Sequence, residues 1–211
     1  MKDQFIEIYN ARIQREGADK LLVWLETTDF FTAPASTRFH LSREGGLVEH
    51  SIHVYDRLRE LLLNEKQRNG LLPTLTDQEE ETAAICGLLH DLCKVGVYHQ
   101  EPKNQKTYDP EKVKKAQKYQ VKHDSMGDFI WETVMGYKFD DPIPYGHGEK
   151  SVYIVSGFMR LTREEAMAIR WHMGPDDSGW RTVGDAFEMF PLAAMTHIAD
   201  MMASYLDEVE K

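Results

Sequence analysis

The stretch "AICGLLHDLCKVG", residues 84–96, runs apolar and then sets two metal-ligating residue types, His90 and Asp91, side by side. Imidazole nitrogen and carboxylate oxygen are the usual ligands of zinc, manganese, iron and related divalent ions. The chain offers them again at His50 in "GGLVEHS", His147 in "PYGHGEKS", His172 in "IRWHMG" and Asp200 in "THIADMM". Neighbouring residues of a helix project about 100° apart. His90 and Asp91 can therefore hold one ion together only if it sits beside their helix and other helices supply further ligands. His50 and Asp200 are the natural completions, because each lies on an otherwise apolar or small-residue helical face. An unpaired buried carboxylate is expensive, and a cation is one partner that removes the penalty.

The elements that must position these groups carry helical period. Leu47, His50, Val54, Leu58 and Leu61 recur at spacings of three and four from Gly46 to Leu63, which turns His50 inward. His53 falls in another row with Glu49, Arg57 and Glu60 and is expected at the surface. Thr76 with Glu79, and Thr162 with Glu165, have capping-box spacing, so helices are expected from Asp77 to about Asp91 or Lys94, and from Thr162 to Gly174 and Pro175. From Pro191 to about Val209, Leu192, Met195, Ala199, Met202 and Leu206 form one seam, with Ala193, Thr196, Asp200 and Ala203 beside it. Residues 97–146 hold four prolines, many lysines and weak periodicity, and read as an insertion. A short hairpin is expected there around "YHQEPKNQKTYD", and a helix within "PEKVKKAQKYQVKHDSMGDFIWETVM". The expected fold is all-α, one domain over residues 1–211 built as a helical bundle with an irregular insertion.

The order His50, then His90-Asp91, then a distant Asp200 resembles the HD-domain superfamily of metal-dependent phosphohydrolases, over about residues 38–207. The resemblance implies that these four residues bind a divalent metal inside a helical bundle. Members with two ions carry extra histidines between the pair and the last Asp, positions that His147 and His172 match, with Asp91 as the expected bridge. A carboxylate can hold two ions about 3.5–4 Å apart, the spacing that clamps attacking and leaving oxygens in phosphoryl transfer. Dinuclear relatives often show two adjacent histidines where this chain has Trp171 and His172. "LLHDLCK" also matches in the lysine three positions after the Asp, which gives Lys94 a role in neutralising a phosphoryl group alongside Asp91. "FHLSREGGLVEH" resembles the stretch before the first metal histidine in exonuclease-like members, so Arg38 and His40 are substrate contacts by resemblance. Lys150 follows Gly146 and Gly148 at a predicted helix start, where phosphate is favoured.

The implied function is hydrolysis of a phosphoester or phosphoanhydride, in a nucleotide or short oligonucleotide, by attack of metal-activated water. The implied cofactor is one or two divalent ions per chain, drawn from Mn, Fe, Zn, Ni, Co or Mg. The alternative is a non-catalytic metal- or nucleotide-binding regulatory module of the same fold. Taken singly, each residue has an ordinary reading: a His-Asp dipeptide is usually structural, and a lysine suits a helix C-terminus.

Composition bounds the partners. With 42% hydrophobic and 28% charged residues, the chain reads as globular. A net charge of −10 argues against coating duplex nucleic acid, which rests on neutralising phosphates. No stretch reaches the ~18 apolar residues of a membrane span, and "MKDQFIEIYNARIQ" lacks the apolar block of a secretory signal, so a cytoplasmic location is expected. Cys86 and Cys93 lie in one predicted helix and read as small buried hydrophobes.

Overall fold

A computed structural model describes residues 1–175 and 180–209. In chain order it holds α1 (Lys2–Arg12), α2 (Ala18–Thr27), α3 (Gly46–Arg68), α4 (Asp77–Leu89), a single 3-10 turn (Leu92–Lys94), β1 (Tyr98–Thr107), α5 (Pro110–Lys115), β2 (Lys122–Asp124), β3 (Gly127–Phe139), α6 (His147–Ser156), α7 (Arg163–Trp171), α8 (Trp180–Met189) and α9 (Pro191–Met202), which runs into a widened π-helical turn (Ala203–Asp207). The chain forms two compact units: Met1–Tyr98 together with everything from Asp140 onward, and His99–Phe139. No helix among the described residues is long and apolar enough to cross a membrane.

The first unit is helical. Both expected capping boxes form: the Thr76 hydroxyl accepts from the Glu79 amide at 3.3 Å while Glu79 accepts from the Thr76 amide at 2.8 Å, and Thr162 and Glu165 repeat the exchange at 3.2 and 2.8 Å. Glu165 has a second use. Fully buried, it receives Arg15 at 2.6 and 2.9 Å and the Thr82 hydroxyl at 3.0 Å, tying α7 to α4 and to the loop after α1. Burial disfavours its charge, but the Arg15 bonds win and hold its carboxyl below the usual range.

α3 packs against α4 and α9, and α7 packs against α9, α4 and α6. Leu47, Ile85, Leu88 and Leu89 are fully buried in one core with Leu21 and Leu25 of α2, each contributing about 1.5–3 kcal/mol by leaving water. Two glycines let the backbones approach. A Cβ on Gly87 would lie 2.4 Å from the Tyr55 Cα, so α4 meets α3 backbone to backbone three residues before His90. A Cβ on Gly148 would lie 2.1 Å from the Arg170 carbonyl oxygen, so the start of α6 presses on the end of α7. The absence of a side chain at Gly148 is therefore used by the fold.

The second unit corrects the all-α expectation. It is a small antiparallel sheet in the order β1-β3-β2, with α5 between β1 and β2. β2 and β3 pair antiparallel with Lys122 opposite Phe129, His123 opposite Asp128 and Asp124 opposite Gly127. Residues 98–107 form one strand, where a hairpin was expected, and only six residues of the expected helix are helical. Later in that stretch come β2 and the start of β3, whose Phe129, Trp131, Thr133, Met135 and Tyr137 alternate with other residues at strand period. Phe129 is its buried anchor, with Tyr108 packed at 5.7 Å between ring centres.

Candidate metal centre

α3, α4, α7 and α9 deliver His50, His90, His172 and Asp200 to one point, and Asp91 stands at its middle with 2% of its surface exposed. The α3 period places His50 inward, 1% exposed. His90 and His172 are each the residue that closes a capped helix, and both are fully buried. Each donates its Nδ1–H to a carbonyl one turn back, His90 to Gly87 at 2.8 Å and His172 to Ile169 at 2.7 Å. That assignment follows from the partners, since a carbonyl only accepts, and it leaves the Nε2 lone pairs aimed at Asp91.

The two oxygens of Asp91 face different donors. Oδ2 lies 3.6 Å from His50 Nε2, 3.4 Å from His90 Nε2 and 2.7 Å from Lys94 Nζ. Oδ1 lies 2.8 Å from His147 Nε2 and 3.4 Å from His172 Nε2. Asp200 Oδ1 completes the first side, 3.2 Å from His50 Nε2, and the Ser204 hydroxyl reaches the same oxygen at 3.4 Å. The other five sequence-derived positions thus gather about Asp91, four histidines directly and Asp200 through His50.

Asp91 and Asp200 are each held charged by neighbours of opposite sign. Burial favours a neutral Asp91, but the Lys94 ammonium and the neighbouring imidazoles hold its carboxyl well below the usual range. Burial likewise opposes charge on Asp200, and the bond to His50 more than offsets it. His50 loses by burial and gains from Asp200 and Glu208, ending at about 9. His90 is lowered, chiefly by burial. One imidazolium and one ammonium therefore stand where a cation would serve.

The residues present fit a divalent metal. His172 Nε2 is buried and makes no hydrogen bond, an orphan acceptor of the kind that a metal resolves. Groups of three donors within 4.8 Å of one another occur at His50, His90 and Asp91, at His90, His172 and Asp200, and at Asp91, Cys93 and His147.

Glu208 was not singled out by the sequence. It is 6% exposed, accepts from His50 Nδ1 at 3.0 Å and His53 Nδ1 at 2.9 Å, and lies 4.0 Å from His40 Nε2. Burial would raise its carboxyl, but the His50 and His53 bonds bring it down to about 2. The available signal was its spacing of eight residues from Asp200 along one helical row. His53, expected at the surface, is half-buried because of this carboxylate.

The expected substrate contacts fare differently. His40 packs its ring 4.9 Å from that of His50, on a loop where Leu41 takes a positive φ of 44°. Arg38 is exposed, with its guanidinium 5.0 Å from the Phe39 ring. Lys150 is 3% exposed and paired with Asp141, so its charge already answers a carboxylate. Lys94 and Asp200 open onto a cleft of about 450 Å³ walled by Phe39, His40, Met173 and Tyr205.

Compared with known proteins, residues 47–210 match the family model described as HD domain. No curated protein and no solved structure matches the chain.

Proposed function

The chain belongs to the HD-domain family, and from that premise we propose that it is a metal-dependent phosphohydrolase acting on a nucleotide or short oligonucleotide. The observation that carries the reading is the division of Asp91, with Oδ2 toward His50 and His90 and Oδ1 toward His147 and His172. His50, His90, Asp91 and Asp200 would hold one divalent ion, and Asp91, His147 and His172 a second. Such ions supply Lewis acidity and make water a competent nucleophile near neutral pH.

The chain's own residues do the rest. Asp91 orients both groups of imidazoles at once. Lys94, 2.7 Å from Asp91 Oδ2 and facing the cleft, can turn its ammonium to a phosphoryl oxygen once another cation compensates that carboxylate. Phe39 and Tyr205, both 71% exposed at the cleft, offer flat faces on which a base can stack. His40 lines the same cleft and packs its ring 4.9 Å from that of His50.

The test is a turnover screen with Mn, Fe, Zn, Ni, Co and Mg in turn, over nucleoside monophosphates, cyclic dinucleotides and short single strands. Phosphate or nucleotide release that vanishes in Asp91→Ala is expected. Metal-loaded protein that turns over none of these, nor a chromogenic phosphate mono- or diester, would sink the proposal in favour of a regulatory module.

A further inference from the structure

Trp171, the residue before His172, packs into an apolar cluster with Val183, Ala186 and Ala193, and an indole offers no lone pair to a metal. The Oδ1 side of Asp91 therefore has His147, His172 and the carboxylate itself. A fourth donor lies beside them. Cys93 Sγ is 3.5 Å from both ring nitrogens of His147 and 3.9 Å from Asp91 Oδ1. Bonds of about 2.3 Å to sulfur and about 2.0–2.1 Å to nitrogen, taken at a tetrahedral angle, set such donors about 3.5 Å apart.

The frame around this thiol is fixed. Cys93 is 4% exposed in the 3-10 turn after α4, and its amide donates to the Ser151 hydroxyl at 3.0 Å. Ser151 lies one turn along α6 from His147, the residue that begins that helix. The turn and the helix are thus pinned together with sulfur and imidazole side by side. His172 supplies an independent sign of a missing ligand, since its Nε2 is buried, unpartnered and 3.4 Å from the same Asp91 oxygen.

We propose that Cys93 is a metal ligand, giving this chain a mixed sulfur, nitrogen and oxygen site for its second ion. The inference rests on the metal-centre reading above. On binding, the thiol gives its proton to solvent and the thiolate takes the metal. A thiolate in the set selects zinc, cobalt or iron over magnesium and calcium, which prefer all-oxygen surroundings. Cys86 is buried in another part of the core and takes no part.

The experiment is a cobalt(II) titration of the full chain after chelator treatment, followed by absorption and equilibrium dialysis. A sulfur-to-cobalt charge-transfer band in the near ultraviolet is expected with the second equivalent. It should be lost in Cys93→Ser and kept in Cys86→Ala, with the second equivalent weakened about tenfold and the first unchanged. The wild-type band needs no variant to be read. Two bound cobalt ions without that band, or a band that follows Cys86, would overturn the cysteine assignment and leave the centre standing. A chain that retains no cobalt would overturn both.

Discussion

Glu208 accepts a hydrogen bond from His50 Nδ1 at 3.0 Å, on the face of the imidazole opposite Asp91 and Asp200. A carboxylate in that position fixes the tautomer of a ligating histidine and raises its basicity. Glu208→Gln is expected to keep the fold and weaken binding of the first ion by about 10–100-fold. Competition against a chromophoric chelator measures it. Unchanged affinity would show that His50 is held by packing alone.

The same pairing makes metal uptake depend on pH. In the cation-free protein His50 is raised to about 9, so its proton is fully held below the ordinary histidine range and lost as pH rises through about 9. A cation must displace that proton. Apparent affinity should climb from neutrality toward about 9, by up to about tenfold per pH unit for one proton, and then level off. Glu208 works in the other direction: brought down to about 2, it stabilises the fold above the ordinary glutamate range, and that contribution is lost as pH falls through about 2. Calorimetric titrations across this range give the slope, and a flat profile would refute a protonated His50.

Removing metal should lower the melting temperature. At a hundredfold excess over Kd one bound ion adds about 2.7 kcal/mol, worth roughly 5–10 °C in a chain of this size. A chelator should remove that increment and a divalent ion restore it, read by differential scanning fluorimetry. Equal melting with and without metal would count against a specific site.

Gly87→Ala should damage the centre without touching a ligand. The new methyl would lie 2.4 Å from the Tyr55 Cα, so α3 and α4 must separate. Overpacking of this kind costs about 1–3 kcal/mol, and the separation carries His90 away from His50, now 3.3 Å apart between Nε2 atoms. Urea denaturation and bound-metal content should fall together.

The convergence of these side chains was legible because helical period and capping leave marks in sequence. Leu47, Val54 and Leu58 share a face with His50, and Thr76 and Thr162 announce the helices that end at His90 and His172. Glu208 left a weaker mark, since the π-helical turn at Ala203–Asp207 shifts the row that links it to Asp200. The pairing of Lys150 left no mark for a related reason: its partner Asp141 lies in a loop, where no period predicts a contact. The sheet was obscured by its own composition. β1 carries lysine, glutamate and glutamine and is exposed along much of its length, so no alternation of apolar residues marks it.

His50 and Glu208 meet across 158 positions of the chain. Contacts so distant in sequence form late, because the long loop must be closed before they return any energy. His50 and His90 need only α3 and α4 to pack, whereas Asp200 and Glu208 are supplied by the last helix and by the residue after its widened turn. A partly folded chain therefore offers an ion two imidazoles and one carboxylate, with nothing behind His50 to hold its ring. On the metal-centre reading, tight loading requires the final segment to be docked, and a bound ion would in turn hold the two distant parts of the chain together.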